Sequence, residues 1–329
     1  MKVLITGDIG FIGFHLAKKA LENGYEVLGI DNHNDYYDVS LKESRLKILN
    51  EYPKYTHHKL DLVDIETLPD KRFEAIINLA AQAGVRYSLD HPHAYSKSNV
   101  EGFLHVLEYA RRVKPHHLIY ASSSSVYGLN QKSPFSVDDE INHPASLYAA
   151  TKRANELMAH SYSHLYQIPT TGLRFFTVYG PYGRPDMASF IFAKNIIEGK
   201  PIQVFNEGDM IRDFTYIDDI VSGIMNLIPT PPQPKVLGTK PNDSNAPYAI
   251  YNLGNNQPVK LLDYIEELER LIGKKAIMDK RPMQMGDVYK TYADIDASKN
   301  DFGYLPKTSY KEGLRRFVEW YKDFYNVKI

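Results

Sequence analysis

Apolar positions in the first half of the chain alternate between short continuous runs and stretches of helical spacing. Residues 2–6 form one such run and predict a buried strand. Phe11, Ile12, Leu16, Ala17, Ala20 and Leu21 then recur three and four apart, the spacing of a helix with one buried face. Asn23-Gly24 supplies a stop, and residues 26–30 form a second strand ending at Asp31. The alternation continues. A weak strand over 56–60 ends at Asp61, and a clear one over 74–79 runs into Ala80-Ala81-Gln82-Ala83-Gly84. A long helix is predicted over 94–113, a strand over 117–121, a helix starting near 144–146 and a strand over 170–175. Strands that alternate with helices predict an α/β fold built on a doubly wound parallel sheet.

The Gly/Pro density of 177–187 ends that regular pattern and marks the passage into a second unit. The proline-rich stretch 229–234 reads as an exposed loop, and 261–272 and 310–325 as amphipathic helices. The expected division is a nucleotide-binding domain of 1–177 plus about 213–255. A smaller C-terminal α/β substrate domain takes about 178–212 and 256–329.

The local chemistry follows from where these elements end. Gly7, Gly10 and Gly13 occupy the first strand–helix turn, where backbone N–H groups approach a pyrophosphate at a helix N-terminus. Asp31 closes the second strand, where a carboxylate accepts hydrogen bonds from an adenosine ribose and repels a 2′-phosphate. The pattern is that of a Rossmann dinucleotide site and favours NAD over NADP. Asp8 is awkward, a carboxylate in the loop that faces the pyrophosphate. Either it turns away and bonds backbone amides in an Asx-turn, or it weakens cofactor binding. The Ser122–Ser125 run opens from the 117–121 strand, at the carboxyl end where ligands of such sheets bind. Tyr148 and Lys152 lie one helical turn apart, so an ammonium stands beside a phenol and favours its phenolate, a general base.

Composition removes several alternatives. A net charge of −1 without a basic run gives no support to a nucleic-acid partner. With no cysteine, disulfides, thiolate metal sites and cysteine nucleophiles are excluded. The 12 histidines form no HExxH, and the adjacent pairs His57-His58 and His116-His117 read as structural or surface residues, so no metal is expected. No apolar segment approaches the ~20 residues of a membrane span, and the apolar start is too short for a signal sequence. A cytoplasmic protein without membrane contact is the expectation.

Together these residues resemble the extended short-chain dehydrogenase/reductases, over essentially the whole chain and with the motifs in order. Within them the likeness is to the nucleotide-sugar 4-epimerases, and more narrowly to those acting on UDP-glucuronate. It rests on the segments from Ala80 to Leu89, Gly183 to Ala188, Ala246 to Asn255 and Arg281 to Val288. The resemblance implies an NAD site that also includes Phe11, Ile12, Asn32, Asp61, Leu62, Leu79, Ala80, Ala81, Gln82 and Asn99. It implies Tyr148 as base, Lys152 on the nicotinamide ribose, and Ser123 on the sugar 4-oxygen, with Ser124 and Ser125 competing for that role. Arg184 suits a uronate carboxylate through a two-pronged contact, and Thr177 a sugar hydroxyl. Arg212 and Arg281 are expected at the UDP diphosphate, Asp287 at its ribose, Phe205 beside the uracil, and Arg86 and Ser88 elsewhere on the UDP-sugar. A homodimer through the helices near 94–113 and 146–166 is the implied assembly.

Three other readings remain open. Sugar 4,6-dehydratases and UDP-glucuronate decarboxylases resemble the chain, but both carry an acid just before Val-Tyr-Gly, where this sequence has Ser125. A 4-epimerase of UDP-glucose or UDP-N-acetylglucosamine(uronate) is nearer in chemistry. A non-catalytic NAD-binding regulator belongs to a different class, and the intact Ser123, Tyr148 and Lys152 argue against it.

Overall fold

A computed structural model describes residues 1–283 and 289–327. A seven-stranded sheet organises the larger unit, with spatial order β11-β6-β5-β4-β1-β2-β3 and every pairing parallel. Its strands are β1 (Lys2–Thr6), β2 (Glu26–Asp31), β3 (Tyr55–Lys59), β4 (Ala75–Asn78), β5 (His117–Ser123), β6 (Thr170–Phe175) and β11 (Tyr248–Leu253). Covered on both faces, the central strands are apolar almost throughout. Val3, Ile5, Ile77 and Ile119 enter one core while Leu4, Ile76, Leu118 and Tyr120 enter the other.

The helices of this unit are α1 (Phe11–Glu22), α2 (Val39–Leu49), α3 (Tyr87–Asp90), α4 (Pro92–Tyr95), α5 (Gly102–Val113), α6 (Leu147–Tyr166) and, later, α8 (Ile217–Leu227). The predicted single helix over 94–113 is interrupted. α4 passes through a π-helical turn, Ser96–Glu101, before α5 begins. The Asn155 side chain donates to the Asn99 carbonyl at 2.5 Å, and Asn99 itself reaches across to Gln82. Side chains inserted into a helical ladder in this way produce such bulges.

The smaller unit contains α7 (Ala188–Glu198), α9 (Leu261–Ile272), α10 (Asp296–Phe302) and α11 (Tyr310–Phe324). Two two-stranded sheets accompany them, β9 (Ile211–Arg212) with β12 (Val259–Lys260) and β8 (Pro201–Phe205) with β13 (Ile277–Arg281), and a third, β7 (Thr177–Tyr179) with β10 (Phe214–Tyr216), joins the two units. Phe190, Ile202, Tyr264 and Phe317 continue the core that begins beneath α1, so the two units share packed apolar side chains. Strand order reverses between β1 and β4, and a cleft opens at the carboxyl ends there, as expected for an open α/β sheet.

Candidate active site

The cleft has a volume of about 930 Å³ and runs from the first glycine turn to the smaller unit. Gly7 adopts a left-handed φ of +69°, and its N–H bonds the Ile30 carbonyl at 2.7 Å. A Cβ on Gly13 would collide with the Gly7 carbonyl, and one on Gly10 would lie 2.9 Å from it. The turn therefore tolerates no side chain where it folds against α1. No side chain caps α1 and its first turn carries no acid, so its positive end faces the cleft. The residues present fit a dinucleotide pyrophosphate.

Asp31, buried at the end of β2, accepts from the His33 N–H at 2.7 Å and from Lys42 Nζ at 3.3 Å. Asp61 takes the Val63 N–H and the side-chain amide of Asn32, at 3.3 and 3.0 Å. Phe11, Ile12, Asn32, Leu62 and the run from Leu79 to Gln82 also line the cleft. Asp8 resolves its own dilemma differently from either expectation. It turns away from the cleft, yet makes no Asx-turn; its Oδ2 accepts the Tyr55 hydroxyl and faces His57 Nδ1 at 2.8 Å. Gly29 leaves the space that this carboxylate fills.

Ser146 caps α6 by accepting the Ala149 N–H at 3.1 Å, which begins the helix one residue before Tyr148. Tyr148, Lys152 and Glu156 then follow at intervals of one turn along one face. Glu156 is buried and forms two hydrogen bonds with Arg174 of β6, at 2.9 and 3.0 Å. It also accepts the Ser122 hydroxyl at 2.7 Å, tying the end of β5 to α6. That tie sets Ser123 on the Tyr148 side of the cleft, where its hydroxyl donates to Ser125 Oγ at 3.1 Å and favours ionisation of the phenol. Ser123 also caps the 3₁₀ turn Ser124–Tyr127 by accepting the Ser125 N–H at 3.2 Å.

Lys152 donates to the Ala121 carbonyl at 2.9 Å, and burial lowers its pKa to about 8. Burial raises the pKa of Tyr148, opposed by the nearby Ser123 hydroxyl and the positive charge of Arg184. Arg184, across the cleft, thus adds a positive charge that favours the phenolate, which the helical spacing alone did not reveal.

Arg184 and Thr177 line the same end of the cleft. Both prongs of the Arg184 guanidinium hold Asp186, which also accepts the Tyr36 hydroxyl at 2.9 Å. Burial disfavours the Asp186 charge, but Arg184 and these hydrogen bonds keep its pKa below the usual carboxylate value. At the far end Arg86 stacks over Phe205 at 4.6 Å, with Arg212 in the same wall.

Three expected site residues are absent from the cleft wall. Ser88 is buried with its hydroxyl on the Val85 carbonyl at 2.6 Å. Asn99 stands behind Gln82 and braces its backbone through bonds of 2.8 and 3.0 Å. Arg281 is bound to Asp279 at the end of β13. Asp287 lies outside the described residues. Conversely, Tyr36, Lys42 and Asp186 line the cleft although the sequence reading passed over them. Asp186 carried a signal, an acid two residues from the arginine it binds.

Residues 3–254 match the description of the NAD dependent epimerase/dehydratase family. A probable UDP-glucuronate 4-epimerase from Rhizobium meliloti (strain 1021) is 48% identical over 334 residues, spanning 99% of this chain and 98% of that relative. UDP-glucuronate 4-epimerase 2 from Arabidopsis thaliana is 46% identical over 336 residues, spanning 99% of this chain and 76% of its own length. Among solved structures, UDP-glucuronic acid 4-epimerase from Bacillus cereus, in complex with UDP-glucuronic acid and NAD, superposes with a TM-score of 0.87. It is 33% identical, and the match covers 99% of this chain and 100% of that one.

Proposed function

This chain belongs to the NAD dependent epimerase/dehydratase family, and from that we propose that it is an NAD-dependent 4-epimerase. It interconverts UDP-glucuronate and UDP-galacturonate through a transient 4-keto sugar. The observation that carries this reading is the meeting of Ser123, Tyr148 and Arg184 at one end of a cleft whose other arm is the glycine turn with Asp31.

NAD fits the turn at Gly7, Gly10 and Gly13, with its adenosine ribose on Asp31 and its nicotinamide ribose on Lys152. When bound it supplies a hydride acceptor that becomes the donor of the same hydride, so no external redox partner is needed. Tyr148 removes the proton of the 4-hydroxyl and returns it to the 4-oxygen after the sugar has turned. Ser123 bonds that oxygen while charge develops on it. Ser125, which accepts the Ser123 hydroxyl at 3.1 Å, and Ser124 are assigned to the rest of the sugar, together with Thr177.

A 4-keto uronate is a β-keto acid and loses CO₂ readily, so the carboxylate must be held out of the plane in which that bond breaks. Arg184 is proposed for this task, with the sugar carboxylate taking the place of Asp186 on the guanidinium. Ser125, standing where dehydratases and decarboxylases carry an acid, supplies no carboxylate of its own. Arg86, Phe205 and Arg212 are assigned to the uridine diphosphate. Ser88, Asn99 and Arg281 then act behind these contacts, the last beside Phe205 in strand register.

The sheet unit, 1–177 plus about 213–255, is proposed to hold NAD, and about 178–212 with 256–329 the UDP-sugar. A homodimer through α5 and α6 is also proposed, because Leu104, Leu157 and Leu165 are exposed on that helix pair. No helix among the described residues is long and apolar enough to cross a membrane. The cytoplasm is the proposed setting because both ligands, NAD and a UDP-sugar, are cytoplasmic metabolites. Incubating the purified protein with UDP-glucuronate alone and separating the products tests the activity. UDP-galacturonate is expected; UDP-pentose as the main product, or turnover of UDP-glucose only, overturns the assignment.

A further inference from the structure

Beneath the adenosine end of the cleft lies a chain of titratable side chains that epimerisation does not use. It starts at Asp8, which is fully buried. Its Oδ2 faces Tyr55 and His57, and its Oδ1 has no hydrogen-bond partner. The other ring nitrogen of His57 lies 2.8 Å from Nε2 of His33. His33 has a left-handed backbone, φ +57°, and in that conformation its N–H reaches Asp31 at 2.7 Å. The path from the buried carboxylate to the ribose-facing carboxylate is therefore Asp8, His57, His33, Asp31.

The chemistry of the middle link is restrictive. Two imidazole nitrogens 2.8 Å apart require one proton and one lone pair between them. The two Nε2 atoms therefore share a single hydrogen. Two N–H groups oppose each other, and the contact breaks, when both rings are imidazolium. Lys42 of α2 and Lys59 of β3 disfavour a proton on His33, as does the charge of His57, whereas Asp31 favours it; Asp8, Tyr55 and Asn34 are the remaining polar neighbours. Burial is the largest influence and keeps the His33 pKa below that of a free imidazole.

We propose that Asp8, His57 and His33 are positioning residues: they fix the His33 amide on Asp31, orient that carboxylate toward the NAD ribose, and release it when both histidines become imidazolium. The inference rests on the reading of Asp31 as the ribose acceptor. It also gives Asp8 a use in a loop where a carboxylate would otherwise only oppose the pyrophosphate. Loss of one hydrogen bond to a charged group corresponds to a roughly ten-fold change in retention.

The test is the rate of NAD release from the purified holoprotein at pH 7.5, 6.5 and 5.5, read as NAD remaining after rapid gel filtration. Release from the unaltered protein should be roughly ten-fold faster at the lowest pH. His33→Asn preserves the left-handed backbone and the amide but carries no proton, and its release should be nearly independent of pH. The double variant Asp8→Ala/His57→Phe replaces the buried polar pair by apolar groups. It should lose the pH dependence too and release NAD faster at pH 7.5. Acceleration in acid that is the same in His33→Asn as in the unaltered protein overturns the brace. Asp31→Ala retaining NAD as well as the unaltered protein overturns the ribose reading, and the brace with it.

Discussion

Arg184 holds Asp186 through two hydrogen bonds, from Nε at 3.0 Å and from a terminal nitrogen at 2.5 Å, with Tyr36 on the same carboxylate. A guanidinium already matched to a carboxylate is the feature on which the proposed preference for a uronate over a neutral sugar rests. Substrate and Asp186 then compete for one fork. Arg184→Ala is expected to lower kcat/KM for UDP-glucuronate by about 10²-fold, the weight of a charge-assisted pair, and to raise the share of UDP-pentose among the products. Asp186→Asn removes the competing charge and should lower KM for UDP-glucuronate. Product chromatography with kinetics checks both, and normal epimerisation by Arg184→Ala would remove the carboxylate role.

Tyr148 is the proposed base and then acid of one turnover. Tyr148→Phe removes one oxygen and leaves the glycine turn and Asp31 untouched. It should keep bound NAD, measured by its absorbance after denaturation, while kcat falls about 10²–10⁴-fold. Loss of NAD along with activity would point instead to a structural role for the phenol.

Lys152 gives the pH profile its sign. Burial lowers its pKa to about 8, and the ribose contact proposed for it requires the ammonium. Activity that depends on it is full below that value and is lost as pH rises through it. Tyr148 acts as a phenolate, so its own contribution rises with pH. An alkaline limb near pH 8 is therefore expected in kcat/KM. Lys152→Arg stays charged throughout and should lose that limb at a lower overall rate. An unchanged limb in the arginine variant would assign it to another group.

Glu156 and Arg174 are a buried pair whose remaining bonds go to Ser122 and Tyr127. Glu156→Ala leaves a guanidinium buried and unpaired, and should lower stability by about 3–5 kcal/mol. Equilibrium unfolding in urea measures this. A loss under about 1 kcal/mol would show that water or a neighbouring group compensates.

The first turn, Asp31, the serine run and the Tyr148/Lys152 spacing were legible because each depends on local sequence: a glycine where the backbone folds on itself, a carboxylate at a strand end, two side chains one helical turn apart. Three features were not. Asp8 finds Tyr55 and His57 on a strand some fifty residues away, where only the paired register of β2 and β3 brings them together. The π-helical turn at Ser96–Glu101 arises from Asn155 on another helix, so no periodicity in 94–113 announces it. The Tyr36–Asp186 bond joins loops from the two units. The two-stranded sheets of the smaller unit are too short to leave an alternating pattern, and the expectation that Ser88 and Arg281 line the cleft came from segment likeness without their local partners.

The central claim is that one hydride leaves C4 and returns to the same carbon of a uronate. UDP-glucuronate deuterated at C4, incubated with the purified protein and no added NAD, measures this directly by mass and proton spectra of the products. UDP-galacturonate retaining deuterium at C4 is the predicted result. Deuterium lost to solvent in a galacto product, or label appearing chiefly in a UDP-pentose, would contradict it.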